Sequence, residues 1–496
     1  MERFIRILLC FAFVFSTFYL LQAASPQIGE VVFTHDTEVT LDSQNRTVLP
    51  LPLDKLQGTK LRVTAEIKAE NVAKPPQPWN GVKCMLHSKT SSGDQWQQKN
   101  DLHGTFDWQT VEYTALIDRD TTSAEMILGI ENTTGKAWIK NIAVRVIGIE
   151  RIRPAKPANV SSPYKGHDIS RLRGVMIQPR SFEEEDLNVL ADWGVNHVRW
   201  QLLWGGFPNG PADKATPEEY HAWIEQECQK LDRMLPLCEK AGVHVVIDLH
   251  SPPGGRLENA DMKMFLEKKY QDTFLEVWEK MARRYKGNKA VWAYDLMNEP
   301  CEGIIPHGEK DAPVDWRTLA IAATKKIRAI DAERAIILEP APWGSPDSLD
   351  WFEPIDATNI VYSVHMYLPH RFTHQGVHDS DSLGTTYPGQ CDGKYWDKAQ
   401  LEAALEPVTD YQKDYGVHIY LGEFSVIRWA PGESGKNYLT DCVDIFEQNG
   451  WDWAYHAFRE WDGWSLEHGP DRNNRKPSEK PTDRLLLLQS WFEKNR

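Results

Sequence analysis

The sequence predicts an α/β chain in which a (β/α)8 barrel follows an all-β sandwich. Three observations point there. After residue 170, eight short apolar runs recur with helical stretches between them. Residues 26–150 instead alternate apolar and polar with period two and lack convincing helical periodicity. Between the two patterns lies RIRPAKPANVSSPYKG, 151–166, rich in proline and serine. At 496 residues the chain is also long for a single core, so two domains are the natural expectation.

The start, MERFIR followed by an apolar stretch at 7–21 and then small residues, has the pattern of a secretory signal over residues 1–24. The mature protein is expected to be secreted or periplasmic, with no membrane association once the signal is cleaved. Removing Cys10 with it leaves six cysteines, at 84, 228, 238, 301, 391 and 442. Their spacing matches no zinc pattern, and their connectivity is open. Cys228 and Cys238 read as buried thiols on one helix face.

Residues 26–150 form the predicted antiparallel sandwich. Leu61, Val63, Ala65, Ile67 and Ala69 are one alternating set; Val82, Cys84 and Leu86 a second; Ala124, Met126, Leu128 and Ile130 a third. Trp108 and Trp138 fall on strands and read as core, whereas Trp79 and Trp96 lie in or near polar loops and are candidate stacking surfaces. A linker is expected at 151–168 and the barrel at 169–496.

Barrel strands are expected at 174–178, 195–200, 243–250, 291–298, 335–339, 360–365, 417–422 and 451–458. Most are continuous apolar runs, as parallel strands covered on both faces should be. The clearest helix is 217–241. Thr216-Pro217-Glu218-Glu219 supplies its cap, Tyr220, Trp223, Ile224, Leu231, Leu235 and Cys238 its apolar stripe, and Gly242 its end. A doubly wound sheet is the alternative, but no glycine-rich phosphate turn follows an early strand.

Net charge is −15, which argues against nucleic acid as a partner. The 20 tryptophans are compatible with stacking on sugar rings. In a barrel, active residues sit at the C-terminal ends of the strands. Arg199, His250, Asn298, Glu299, Glu339, His365, Tyr367 and Glu423 occupy those ends, and each is expensive to bury. Glu299 follows strand four and Glu423 follows strand seven, able to face each other across the rim. A carboxylic acid opposite a carboxylate is what glycosidic cleavage requires. His370, His374 and His378 are spaced by four, but Pro369 and Gly376 break the helix that would gather them, so no metal or cofactor is assigned.

VWAYDLMNEP (291–300) and YLGEFS (420–425) resemble the acid/base and nucleophile signatures of glycoside hydrolase family 5. GVNHVRW (194–200), VVIDLHSPPGG (245–255) and SVHMY (363–367) resemble further strand-end motifs of that family, in the same order. The resemblance implies a TIM barrel and a retaining mechanism, with Glu299 as acid/base and Glu423 as nucleophile. It further implies that Asn298 bonds the sugar 2-hydroxyl and that Arg199 and Tyr367 hold Glu423 ionised. His250 and His365 would line the reacting subsite. Trp343 is a candidate sugar platform and Glu339 a weaker candidate for catalysis or substrate contact. The family usually places a tryptophan after strand eight. Phe458 is expected at that place here, with Trp461 or Trp453 as substitutes.

FDWQTVEYTA (106–115) and GKAWIKNIAVRVI (135–147) resemble jelly-roll carbohydrate-binding modules, although Lys140 stands where an acidic residue is usual. The implied function is hydrolysis of a β-linked polysaccharide or oligosaccharide by a monomer. A β-1,4-glucan is the first expectation; β-mannan, β-1,3-glucan and an inactive glycan-binding barrel are the alternatives.

Overall fold

A computed structural model describes residues 26–205, 210–303, 305, 311–378 and 380–496. The signal pattern lies outside the described residues. The chain divides between Ile149 and Glu150 into two compact units.

In the first unit, strands at Val31–His35, Val39–Asp42, Thr59–Val72, Gly104–Ile117 and Lys136–Ile149 make a five-stranded antiparallel sheet. A four-stranded antiparallel sheet joins Arg46–Pro50, Gly81–Thr90, Gly93–Gln97 and Ser123–Glu131. The alternating sets become the core, with Leu61, Val63, Ile67, Leu86, Met126 and Leu128 fully enclosed. Ile130 is only half-buried at its edge. Trp108 and Trp138 correct the sequence reading. They alternate with the buried set, so both are half-buried on the opposite face, with the Lys140 and Lys68 ammonium groups 4.1 and 6.0 Å from their ring centres. Trp79 and Trp96 are each 55% exposed, and Trp96 stacks on His87 at 3.8 Å.

The second unit is a closed, all-parallel barrel of eight strands. They are β1 (Arg173–Ile177), β2 (His197–Gln201), β3 (His244–Asp248), β4 (Val291–Asp295), β5 (Ala335–Leu338), β6 (Ile360–Met366), β7 (His418–Phe424) and β8 (Asp452–Phe458). Helix Pro217–Ala241 forms as its sequence dictates. Thr216 and Glu219 close a capping box, and Gly242 ends the helix at φ 68°. The departure from strict strand–helix repetition follows β5. Pro340, Pro342 and Pro346 crowd that connection, which holds only a 3-10 turn, Pro346–Trp351.

Residues 151–168 carry no helix or strand and lie against the barrel. Arg151 pairs with Asp414 at 2.6 Å, and the Tyr164 hydroxyl donates to Glu333 O. The six described cysteines are free, buried thiols. Among the described residues, no helix is long and apolar enough to cross a membrane.

Candidate active site

Alternation along the strands decides what enters the barrel. In β2, Val198 and Trp200 pack outward among the helices, so Arg199 projects inward. The same rule sends Asp248 from β3 and His365 from β6 inside, and Glu339 from the end of β5. Simple alternation would point Glu423 outward, because Tyr420 is inside. Between β6 and β7 the register slips by one residue, from Val364↔Leu421 to His365↔Glu423. Leu421 and Phe424 both pack outward, and the bulge at Gly422–Glu423 turns the carboxylate inward. A Cβ on Gly422 would lie 2.7 Å from Ser363 Oγ and 3.1 Å from His365 Nε2, so only glycine fits there.

The inward side chains meet beneath a cavity of about 570 Å³. Arg199, wholly buried, lies at the centre of four carboxylates. Nη1 donates to Glu423 Oε1 at 2.7 Å and Nε to Asp295 Oδ2 at 2.9 Å. Nη2 reaches Glu339 Oε1 at 2.9 Å and Asp248 Oδ1 at 3.2 Å. Nη2 also donates to Asn298 Oδ1 at 3.1 Å, which leaves the Asn298 amide nitrogen facing His250 Nε2 at 3.3 Å. His250 Nδ1 in turn is 2.9 Å from Asp248.

His365 ties the carboxylates together, with Nδ1 2.9 Å from Glu299 Oε1 and Nε2 3.2 Å from Glu339 Oε1. Burial opposes its charge, but Glu339 and Glu423 outweigh burial and hold the imidazole well above its ordinary value. Burial likewise disfavours ionised Glu423. The positive fields of His365, His456 and Arg199 prevail and hold its carboxyl far below the usual range. Burial, with the charges of Glu339 and Asp248, pushes Asp295 above the usual carboxylate range against the pull of Arg199.

An oxygen of Glu299 and an oxygen of Glu423 lie within 4.8 Å of each other. Glu423 is the more enclosed, 6% exposed against 24% for Glu299. Such a pair can protonate a leaving oxygen from one side while stabilising the cation-like carbon from the other.

The structure brings Glu299, Glu423, His250, Asn298, His365, Tyr367 and Trp343 to the cavity wall, with Arg199 directly below. Trp343 presents a ring that is 40% exposed. Glu339 does not reach the cavity. It is fully buried, its carboxylate spent on Arg199, His365 and the Glu299 N–H.

Phe458 does not line the cavity either. A one-residue slip in β8, between Val175↔Tyr455 and Ile177↔Phe458, turns its ring outward onto Phe182 and Trp193. Trp453 is buried against Phe424 and Phe492. Trp461 lines a separate small depression that shares Glu460 with the main cavity. His456 holds the wall position in place of an aromatic floor.

Sequence reading missed His456, Glu460 and Trp204 on the cavity wall and Asp248 and Asp295 beneath it. The available signal was a charged residue breaking an apolar run, as in VVIDLH and VWAYD. His370 and His374 stack at 3.8 Å with parallel rings, and both line the cavity with His378. At the foot of the barrel, His167 and His418 both contact Asp452 Oδ2, at 2.7 and 2.6 Å, three donor atoms close enough to share an ion.

Residues 162–462 match the sequence profile of the cellulase family, glycosyl hydrolase family 5. The chain belongs to glycosyl hydrolase family 5. It is therefore a glycosidase of the cellulase type. Endoglucanase C of Acetivibrio thermocellus is 29% identical over 290 residues, covering 53% of this chain and 80% of that protein. Cellodextrinase A of Ruminococcus flavefaciens is 25% identical over 282 residues, covering 56% and 79%. Cel5A of Thermotoga maritima, solved with mannotriose, shares the fold. Its TM-score is 0.51 at 24% identity, covering 66% of this family 5 chain and 100% of that one.

Proposed function

We propose that this enzyme hydrolyses β-1,4-linked glucan with retention of anomeric configuration, using Glu423 as nucleophile and Glu299 as acid/base. The observation that carries the reading is the approach of their oxygens to within 4.8 Å. Retaining glycosidases hold their carboxyl groups about 5–5.5 Å apart, whereas inverting ones leave about 6.5–9.5 Å for a water. The glucan assignment is supported by the endoglucanase relative.

In the first step Glu423 attacks the anomeric carbon while Glu299 gives its proton to the departing glycosidic oxygen. The C–O bond breaks, and a covalent glycosyl ester on Glu423 remains. Glu299, now a carboxylate, takes a proton from water, the water oxygen attacks the same carbon, and the ester bond breaks. Arg199 and Tyr367 stabilise Glu423 as carboxylate at the start and end of this cycle. The Asn298 amide nitrogen is oriented by its oxygen's bond to Arg199, and beside its contact with His250 it has a second N–H to offer a sugar hydroxyl. Trp343 offers its exposed ring to a sugar face.

The test is the product profile of the wild type over a panel of β-glycans, with the first-formed anomer followed by NMR. β-anomeric products from a β-1,4-glucan support the reading. α-Anomeric products, or turnover confined to another linkage, overturn it. Export is supported by the apolar run at residues 7–21, and amino-terminal sequencing of protein recovered outside the cell tests it. Sugar binding by the sandwich is supported by exposed Trp79 and Trp96, and loss of cellulose retention in a double alanine variant tests that.

A further inference from the structure

A chain of polar contacts leads away from Glu423 along the cavity wall. The Tyr367 hydroxyl is 2.7 Å from Glu423 Oε2 and equally 2.7 Å from His456 Nδ1. His456 Nε2 is 3.2 Å from Glu460 Oε2, which also accepts the Gln201 amide at 2.6 Å.

The protons of this chain can be counted. A phenol has one, and an ionised Glu423 can only accept, so the Tyr367 proton lies on the Glu423 side. The contact with His456 Nδ1 then requires that nitrogen to donate to the phenol oxygen. Were the ring neutral with its hydrogen at Nδ1, the Nε2 lone pair would face the Glu460 carboxylate, acceptor against acceptor. Protons on both nitrogens satisfy every contact.

The surrounding charges agree. Burial disfavours a charged His456, and His365 and His374 face it with opposing influence. Glu460 and Glu423, 3.8 Å away at its Oε2, outweigh them and hold the imidazole above its ordinary value. Against its own burial, Glu460 is held below the usual carboxylate range by His456.

We propose that His456, kept as an imidazolium by Glu460, is a positioning residue that fixes the Tyr367 proton on Glu423. It acts through Tyr367 and adds a further cation near Glu423 Oε2, beside those of Arg199 and His365. The role rests on Glu423 being the nucleophile. Loss of the ring proton would let Nδ1 take the phenol hydrogen and strip Glu423 of a donor, so His456 sets the alkaline limb of activity.

The experiment pairs kinetics with a readout that needs no turnover. The pH profile of kcat/KM is measured for wild type, Glu460→Gln, His456→Gln and Tyr367→Phe. In parallel, the His456 side-chain 15N shifts, assigned by difference from His456→Gln, are followed in the full-length protein. Both His456 nitrogens are expected to be protonated at pH 7 in wild type. In Glu460→Gln the alkaline limb and the 15N titration should move down together by about one pH unit or more. His456→Gln should lower kcat about 10- to 100-fold with KM little changed, and adding Tyr367→Phe should cost little more. A neutral His456 at pH 7 in an active wild type, or an unmoved alkaline limb in Glu460→Gln, overturns the proposal and leaves the hydrolase reading standing. A charged His456 in a wild type inactive on every glycan overturns the hydrolase reading instead.

Discussion

The Glu339 carboxylate accepts the backbone N–H of Glu299 at 2.8 Å. Glu299 has φ 47°, left-handed backbone that a glutamate rarely adopts, and that bond helps to hold it there. A buried residue outside the cavity thus sets where the proposed acid points. Glu339→Gln removes the charge that faces Arg199 and His365. Kinetics should show kcat down about 10²-fold, the scale of a small misplacement of a reacting group. Thermal unfolding should show a loss of up to about 3–5 kcal/mol, the range for breaking a buried ion pair. Wild-type kcat would remove Glu339 from the supporting set.

Glu299→Gln and Glu423→Gln separate the two proposed roles. Loss of general acid–base help should cost about 10²–10⁴-fold in kcat on a natural glycan. An aryl glycoside whose leaving group needs no proton should restore the first step in Glu299→Gln, seen as a burst of phenolate. Glu423→Gln should give no burst with either substrate, since the nucleophile is gone.

His365 links acidity to stability. Its native value is raised, so its charge contributes stability that is complete below the unfolded value of about 6.5 and is lost as pH rises through the native one. The melting-temperature gap between wild type and His365→Gln should therefore be widest near pH 6 and shrink on the alkaline side. A gap that widens with pH would contradict a charged His365.

Phe458 and Trp343 should fail in opposite ways. Phe458 is 4% exposed within the shell of helices, so Phe458→Ala should cost about 3–5 kcal/mol by denaturant unfolding while the folded enzyme keeps its kcat. Trp343→Ala should leave stability nearly unchanged and raise KM, because its ring faces the cavity. A rise in KM for Phe458→Ala with no loss of stability would return it to the substrate floor.

Gly422→Ala tests the bulge. Its Cβ would press on Ser363 and His365, and His365 cannot retreat without leaving Glu299. A drop in kcat of about tenfold or more is expected, with the fold retained by circular dichroism.

Much of this site is legible in the amino-acid sequence. Runs such as GVNHVRW and VWAYDLMNEP carry strand propensity and a charged terminus in the same few residues, so the strand and its functional end were read together. The cap and stop of helix Pro217–Ala241 were legible for the same reason, since capping is local hydrogen bonding. Glu339 and Phe458 were misjudged because position at a strand end does not say whether a side chain reaches the cavity or is consumed beneath it.

The sequence by itself determined the two architectures, the strand and helix order, and which acidic residues stand at the rim. Those depend on periodicity and on neighbours within a few positions. Only the tertiary structure decided that Glu423 turns inward while Phe458 turns outward, and that Glu339 serves Glu299 instead of substrate. The reason is register. A single extra residue in β7 or β8 reverses the side on which everything after it emerges, and that slip is set by pairing with strands about 60 and 280 positions away, through contacts no local pattern encodes.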